Sequence, residues 1–431
     1  MQIFYHLLVN TVLSAVANFT VWFGLTFFVY LETQSVFATG MISGVFLTLT
    51  MLSGFWFGSL VDHHSKKLVM LGSSAFSFLM YGAALLMYLS QPQGSFADVT
   101  NPLLWVLIVM TIFGVIAGNI RNVALPVIIG YLIPEEKRAK ANGLAGMSQG
   151  ISFGVVSVIS AFLVAYADMW GVLAFSTALL VACFVHLLLL YIPEREKTAE
   201  EHAAPKTIDI RGTLAVVVAI PGLIALIAFT TFNNFLGGAF MALMDAYGLS
   251  LVSVEEWGII LGVLSFSFMA GGAAIARWGL GRNPLRTMML ANILLWTACA
   301  LFTIQASVIL LIAGMFLFMA FSPYIEASEQ TILQKVVPKD RQGRVFGFAQ
   351  SVEQMASPVT AFLLGPLAQF FFIPFMTTGL GAELIGWWFG TGQGRGIALV
   401  FTVCGIIGLV VTIIALNSKY YVRLSEKYLN A

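Results

Sequence analysis

The chain has 431 residues, of which 59% are hydrophobic and only 10% are charged, and its formal net charge is +1. A soluble core cannot absorb so many apolar side chains, so the composition excludes an ordinary soluble protein and indicates a membrane protein. The near-neutral net charge gives no electrostatic reason to expect nucleic acid as a partner.

The apolar residues are grouped into long segments. A helix needs about 20 apolar residues to cross a bilayer, and about twelve segments meet that length. A polar stretch near the middle of the chain separates the first six from the last six. We therefore expect an all-α membrane protein with twelve transmembrane helices in two six-helix bundles, the N-terminal one at 1–193 and the C-terminal one at 213–431, joined by a cytoplasmic linker at 194–212.

The basic residues predict the orientation. Cytoplasmic loops of membrane proteins collect lysine and arginine. When both termini are placed in the cytoplasm, nearly all of the 21 lysines and arginines fall in loops on that side. The sequence thus predicts a multi-pass protein of the cell (inner or plasma) membrane with both termini inside, in direct contact with the lipid bilayer.

The two halves resemble each other in sequence. Pro134 and Pro338 are 204 positions apart, and Gly143, Ala145 and Gln149 have counterparts at the same offset in Gly347, Ala349 and Glu353. The first copy carries Arg121 near the position where the second carries Glu326. Repeated halves with buried charges are typical of secondary transporters.

The turn after the second predicted span contains Gly58, Asp62, Lys66 and Lys67. Here the chain resembles the major facilitator superfamily, whose signature between its second and third helices has a glycine, an acid and basic residues. The resemblance implies the two-bundle major facilitator fold. We predict a gating role for this turn, with Asp62 holding the inner ends of the bundles together; the alternative is that the turn only fixes the topology.

A second resemblance lies at residues 334–346, where Gln334-Lys335-Val336 is followed by Gln342-Gly343-Arg344-Val345-Phe346. This turn looks like that of the superfamily branch with macrolide-efflux and enterobactin-export proteins, and we assign Arg344 to the gate. In the superfamily, a fourth-helix arginine is associated with proton coupling, which implies that role for Arg121. The alternative for Arg121 is a structural salt bridge, since an arginine inside the membrane must be paired.

Three carboxylates occur in predicted spans of the second half. Glu326 and Glu329 are three positions apart and so share a helix face, and Glu353 enters from the inner side at similar depth. Burial and neighbouring negative charge both favour the protonated carboxyl. We predict a proton-coupling site from these three residues, with Glu326 as first choice; internal ion pairing is the alternative.

The first helix of each half carries amides beside aromatic rings. These are Asn18 with Trp22, and Asn233 and Asn234 with Phe232. Amides and aromatic faces can orient a large apolar or cationic substrate in a central cavity. Equally, amides join membrane helices by hydrogen bonds, so both readings stay open.

Enzyme signatures are missing from the sequence. No Gly-Lys pair is present, which argues against a phosphate-binding loop and ATP-driven pumping, and the three cysteines and five histidines show no metal-ligand spacing. We predict a monomeric secondary active transporter without cofactor or metal, which exports an amphipathic small molecule in exchange for protons by alternating access. The alternatives are an importer or uniporter of the same fold, a membrane-embedded enzyme, and a receptor or scaffold that transports nothing.

Overall fold

The computed structural model describes residues 2–92, 94–133, 135–192, 210–338 and 342–430. Within these ranges, the side chains at 55, 58, 59, 62, 63, 126, 130, 131, 135–151, 210, 211, 213, 276 and 342–344 are not described. The described part of the chain consists of helices and the turns between them, without a β-strand.

Among the described residues, the first half contains six helical elements. They are α1 (Gln2–Thr33), α2 (Val36–His63), α3 (Lys66–Leu89), α4 (Pro102–Gly118), α5 (Ile120–Leu132) and α6 (Glu135–Leu189).

The described part of the second half contains the other helices and one π-helical turn. They are α7 (Ile210–Ala219), α8 (Leu223–Leu249), α9 (Val254–Trp278), α10 (Pro284–Leu301), α11 (Val308–Val336), α12 (Gln342–Leu367), the π-helical turn Ala368–Phe372, α13 (Ile373–Thr377), α14 (Leu380–Leu384), α15 (Gly386–Phe389), α16 (Gln393–Leu416) and α17 (Lys419–Asn430).

Short polar side chains mark where several helices begin. The hydroxyl of Ser35 accepts a hydrogen bond from the backbone N–H of Ala38, at 3.2 Å, and Ser65 and Ser307 cap α3 and α11 in the same way. These bonds satisfy N–H groups that have no partner within the helix. The helix starts are therefore encoded locally, by the residue that precedes each apolar segment.

Eleven helices in the described residues are long and apolar enough to cross a membrane. One of them, Ser152–Leu189, contains a non-helical residue, Asp168, with φ 53° and ψ −164°. A Cβ atom on Gly171 would lie 3.7 Å from the carbonyl oxygen of Leu163, whereas eight residues of straight helix span about 12 Å. The chain therefore reverses at Asp168, and the element forms two spans, which agrees with the predicted twelve.

The chain divides into two compact units. The first unit comprises Met1–Ala38, Phe46–Lys206 and Ser253–Val263, and the second comprises Thr39–Val45, Thr207–Val252 and Leu264–Ala431. In the first unit, α6 packs against α1 and α3. In the second unit, α8 packs against α12, and α10 packs against α11 and α16.

Two features hold α16 in the second unit. A Cβ atom on Gly405 would collide with the backbone of Ala300, so the two helices touch through their main chains. The guanidinium of Arg395 is buried and donates to the carbonyl oxygens of Thr303 and Ile304, at 2.7 and 2.9 Å, and also to that of Phe389. Arg395, which the sequence analysis did not single out, therefore joins the start of α16 to the end of α10.

Candidate functional site

A polar cavity of about 630 Å³ lies within the second unit. Three helices supply its polar lining: α8, α11 and α12. The lining side chains with polar or charged groups are Thr230, Asn233, Asn234, Glu326, Glu329, Gln330, Gln350, Glu353 and Gln354. The remaining lining is mostly apolar, with Phe268, Ile325, Leu333 and Phe346 among it. The cavity thus offers apolar walls together with a group of carboxyl and amide groups.

Two of the predicted carboxyl groups contact each other in this cavity. The side chains of Glu329 on α11 and Glu353 on α12 lie within hydrogen-bonding reach of one another. Ionised carboxylates only accept hydrogen bonds, so a bond between these two groups requires a proton on one of them. When two carboxyl groups lie within hydrogen-bonding reach, their mutual repulsion opposes the ionisation of both.

A threonine from a third helix completes this pair. The hydroxyl of Thr230 on α8 donates to Oε1 of Glu353 at 2.7 Å, and it also lies within reach of Glu329. One oxygen of Glu329, Oε1, is buried without a hydrogen-bond partner among the described residues. Thr230 therefore holds one oxygen of Glu353, whereas Oε1 of Glu329 can accept a proton or a hydrogen bond from a ligand.

Glu326 and the amides of α8 face the same cavity. Oδ1 of Asn233 accepts from the indole N–H of Trp296 at 3.0 Å, while its Nδ2 is buried without a partner among the described residues. Asn234 also lines the cavity. The structure brings together in one cavity the three carboxylates, predicted from sequence as a proton-coupling site, and the two amides, predicted separately as substrate-binding residues.

Phe232 does not line this cavity. It lies in a separate apolar groove, near Phe235, and the two ring centroids are 6.3 Å apart. A substrate-binding role for Phe232 stays a prediction that this cavity does not support.

In the first unit, Asn18 and Trp22 lie in the helix core. Oδ1 of Asn18 accepts from the hydroxyl of Tyr81 at 2.6 Å, and its Nδ2 donates to the carbonyl oxygen of Ser14 at 2.8 Å. The Trp22 ring lies 4.0 Å from that of Phe46, and Trp22 is 6% exposed. These contacts favour the packing interpretation of both residues over substrate binding.

Arg121, at the second position of α5, is buried as the sequence predicts, with 2% of its surface exposed. Its Nη1 donates to Oδ1 of Asn10 at 2.7 Å and its Nη2 to the hydroxyl of Ser74 at 2.6 Å. Its Nε has no partner among the described residues. The salt bridge, which was the alternative interpretation of Arg121, is not observed among the described residues, because its partners are neutral side chains from α1 and α3.

The predicted gate is described only in part. Nζ of Lys67 donates to the carbonyl oxygens of Leu188 and Leu190, at 3.0 and 2.7 Å, and thereby caps the end of α6. Lys66 lies 3.5 Å from the carbonyl oxygen of His64. The side chains of Gly58, Asp62 and Arg344 lie outside the described residues. Gating therefore stays a prediction for all five residues.

Sequence reasoning missed the residues that hold the predicted ones in place. Thr230, Ser74 and Tyr81 carry ordinary hydroxyl groups in apolar helices. Their polar contacts reach across the fold: Thr230 and Glu353 are 123 positions apart. Among the described residues, no group of three or more His, Cys, Asp or Glu side chains has the arrangement of a metal site.

Comparisons with known proteins give the same overall picture. The family model for the Major Facilitator Superfamily matches residues 7–361. Macrolide efflux protein A of Enterococcus faecalis is 22% identical over 317 residues, which covers 70% of this chain and 92% of that protein. Macrolide efflux protein A of Streptococcus pyogenes is 21% identical over 371 residues, covering 83% of this chain and 87% of that protein.

Solved structures of transporters share this fold. The nucleoside transporter NupG superposes with a TM-score of 0.73 at 12% identity, covering 97% of this chain and all of that one. A D-xylose–proton symporter gives a TM-score of 0.66 at 14% identity and covers 96% of each chain. The transporter relatives and neighbours indicate a transporter rather than an enzyme. Since the family model covers most of the sequence, the chain belongs to the Major Facilitator Superfamily.

Proposed function

We propose that this protein exports an amphipathic small molecule across the cell membrane in exchange for protons, by alternating access. The observation that carries the proposal is the contact between the Glu329 and Glu353 carboxyl groups inside a cavity that also has apolar walls. The direction of transport is supported by the low-identity relatives named macrolide efflux protein A. A drug-like or siderophore-like compound fits a cavity of this size and mixed lining.

The carboxyl pair supplies the coupling step. With one proton shared, the two carboxyl groups carry a single negative charge between them. Loss of that proton leaves two neighbouring negative charges, and their repulsion is relieved by a cation, a hydrogen-bond donor or a rearrangement. Proton release is thereby linked to a change in the cavity. A proton that crosses the membrane potential contributes about 2.3 kcal/mol per 100 mV to the cycle.

Substrate recognition is assigned to the groups beside this pair. Glu326 is exposed in the cavity and can attract a cationic group of the substrate. The unpaired Nδ2 of Asn233 offers a hydrogen-bond donor, and Asn234 lies next to it. Glu326 ranked first from sequence as the proton site; the interaction between Glu329 and Glu353 supports assigning that role to the pair instead.

The remaining parts of the proposal follow from sequence. The basic residues place both termini in the cytoplasm. The protein acts as a monomer, with Asp62 and the neighbouring basic residues closing its inner end. Arg121 contributes to proton coupling from the first unit, where it lacks a charged partner among the described residues.

The test is transport in proteoliposomes with the Glu329→Gln and Glu353→Gln variants. Substrates are first found by thermal stabilisation of the purified protein with a panel of amphipathic cations and macrolides. Each variant is expected to lose transport driven by a pH gradient, while it still exchanges labelled for unlabelled substrate without a gradient. Glu383→Gln is the matched control, because Glu383 is exposed in α14 and does not line the cavity.

Unchanged gradient-driven transport in both cavity variants would remove the pair from the mechanism. The direction is tested separately, by comparing substrate accumulation in cells with and without the protein. Higher accumulation with the protein would identify an importer of the same fold, and binding without movement across sealed vesicles would identify a receptor.

A further inference from the structure

A chain of polar contacts connects α1, α5 and α6 in the first unit, with Asn10 at its centre. Oδ1 of Asn10 accepts from Nη1 of Arg121 at 2.7 Å. Nδ2 of Asn10 donates to the carbonyl oxygen of Cys183 at 2.8 Å and lies 3.0 Å from Nδ1 of His186. Asn10 is fully buried, so these contacts are not exchanged with water.

The orientation of the Asn10 amide is fixed twice over. A guanidinium only donates hydrogen bonds, so the Asn10 atom facing Arg121 must be the oxygen. A backbone carbonyl only accepts, so the atom facing Cys183 must be the nitrogen. Both requirements select the same orientation. The nitrogen of the amide therefore faces His186.

This orientation determines the state of His186. Because the Asn10 nitrogen donates, Nδ1 of His186 must accept, which requires the neutral ring with its hydrogen on Nε2. A protonated ring carries N–H groups at both nitrogens, so two donors would face each other. If the Asn10 amide turned over to accept from that ring, its nitrogen would face the guanidinium of Arg121 instead.

We propose that His186 is a proton-binding site of the first unit, and that its protonation and the hydrogen bond between Asn10 and Arg121 exclude each other. Any conformation that separates Arg121 from Asn10 frees the amide to turn over and accept from a protonated His186. By linkage, proton uptake at His186 favours that conformation, and that conformation favours proton uptake. This site lies in the first unit and so does not depend on the carboxyl pair of the second.

The titratable groups around His186 are cationic or neutral. The ring centroid of the exposed His6, on α1, lies 5.8 Å from that of His186. Cys183 lies one turn earlier on α6, and Asn10, which contacts His186, also accepts a hydrogen bond from Arg121 on α5. Lys67 of α3 donates to the carbonyl oxygens of Leu188 and Leu190, at the end of α6 just after His186. His6 offers a route for protons from the surface, since it is exposed while His186 is half-buried.

The first experiment measures the protonation state and tautomer of the His186 ring directly. Nitrogen NMR of the ¹⁵N-histidine-labelled protein in nanodiscs distinguishes the two neutral tautomers and the charged ring, and the chain has only five histidines. Assignment uses variants with asparagine at the other four positions in turn. His186 is expected to show the neutral ring protonated at Nε2 at pH 7.5. A ring protonated at Nδ1 under these conditions would overturn the proposal, and this measurement needs no variant of His186.

The second experiment tests the linkage. In His186→Asn, Oδ1 takes the place of Nδ1 as an acceptor but binds no proton. The wild-type melting temperature is expected to fall between about pH 7.5 and 5.5, where histidines change charge, and His186→Asn is expected to lose most of that shift. His64→Asn, at an exposed histidine after α2 that has no assigned role, is the control and should keep the wild-type profile. An identical pH profile in wild type and His186→Asn would refute the linkage.

Discussion

The hydrogen bond between Tyr81 and Asn18 provides a test of whether Asn18 holds the helices together or binds substrate. Tyr81 is completely buried, and its hydroxyl donates to Oδ1 of Asn18 at 2.6 Å. Asn18 is 5% exposed and packs against Gly118, where an added Cβ atom would collide with the amide. Tyr81→Phe removes the hydroxyl alone and leaves the ring in place.

The expected loss of stability combines two effects. The variant loses one hydrogen bond and leaves a buried acceptor, Oδ1 of Asn18, without a donor, which in proteins generally costs about 1–3 kcal/mol. Hydrogen bonds between membrane helices average about 0.6 kcal/mol and reach about 1.7 kcal/mol. Because water cannot replace the hydroxyl at this buried site, we expect the upper part of the membrane range, about 1–1.7 kcal/mol.

The assay is reversible unfolding in mixed detergent micelles, with Tyr166→Phe as the control. Tyr166 is 77% exposed, so the same substitution there should change the unfolding free energy by less than about 0.5 kcal/mol. In the Asn18→Ala background, Tyr81→Phe should cost little, since the acceptor is already gone. The double-mutant cycle should therefore give a coupling energy of about 1 kcal/mol.

Two results would refute this reasoning. Equal effects of Tyr81→Phe and Tyr166→Phe would show that the bond contributes nothing to stability. An unchanged unfolding free energy, together with a raised KM for transport, would instead assign Asn18 to the substrate.

Three other residues, Arg395, Gly405 and Lys67, give further predictions, each measured by the same unfolding assay. Arg395→Lys should destabilise the protein by about 2–4 kcal/mol, because one ammonium group cannot reach all the carbonyl oxygens that the guanidinium holds; Arg282→Lys, at an exposed position, should be neutral. Gly405→Ala should cost about 1–3 kcal/mol, since its Cβ meets backbone that cannot rotate away. Gly237→Ala, where nothing lies within 4 Å, should be neutral or slightly stabilising, and equal effects of the two glycine variants would contradict the close contact. Lys67→Met should cost no more than about 1 kcal/mol, the usual value of a cation at a helix end, and a larger loss would point to a role beyond the cap.

Local sequence was sufficient to predict the spans. Apolar segments of membrane length, separated by polar turns, predicted the number of crossings. The serines at positions 35, 65 and 307 set helix starts through bonds within three residues. The spacing of Glu326 and Glu329 also placed both on one face of α11. All these features depend on neighbours along the chain, so the sequence by itself determines them.

The partners of the buried polar groups were decided by the tertiary structure. Glu329 meets Glu353 and Thr230 on two other helices, and Asn10 meets His186 at a separation of 176 positions. Helical periodicity gives the face of a side chain but not the helix that will cover it. In a membrane, lipid is as apolar as the side chains, so helix pairing depends on close packing at small residues and on bonds between helices. Those contacts exist only once the helices have assembled.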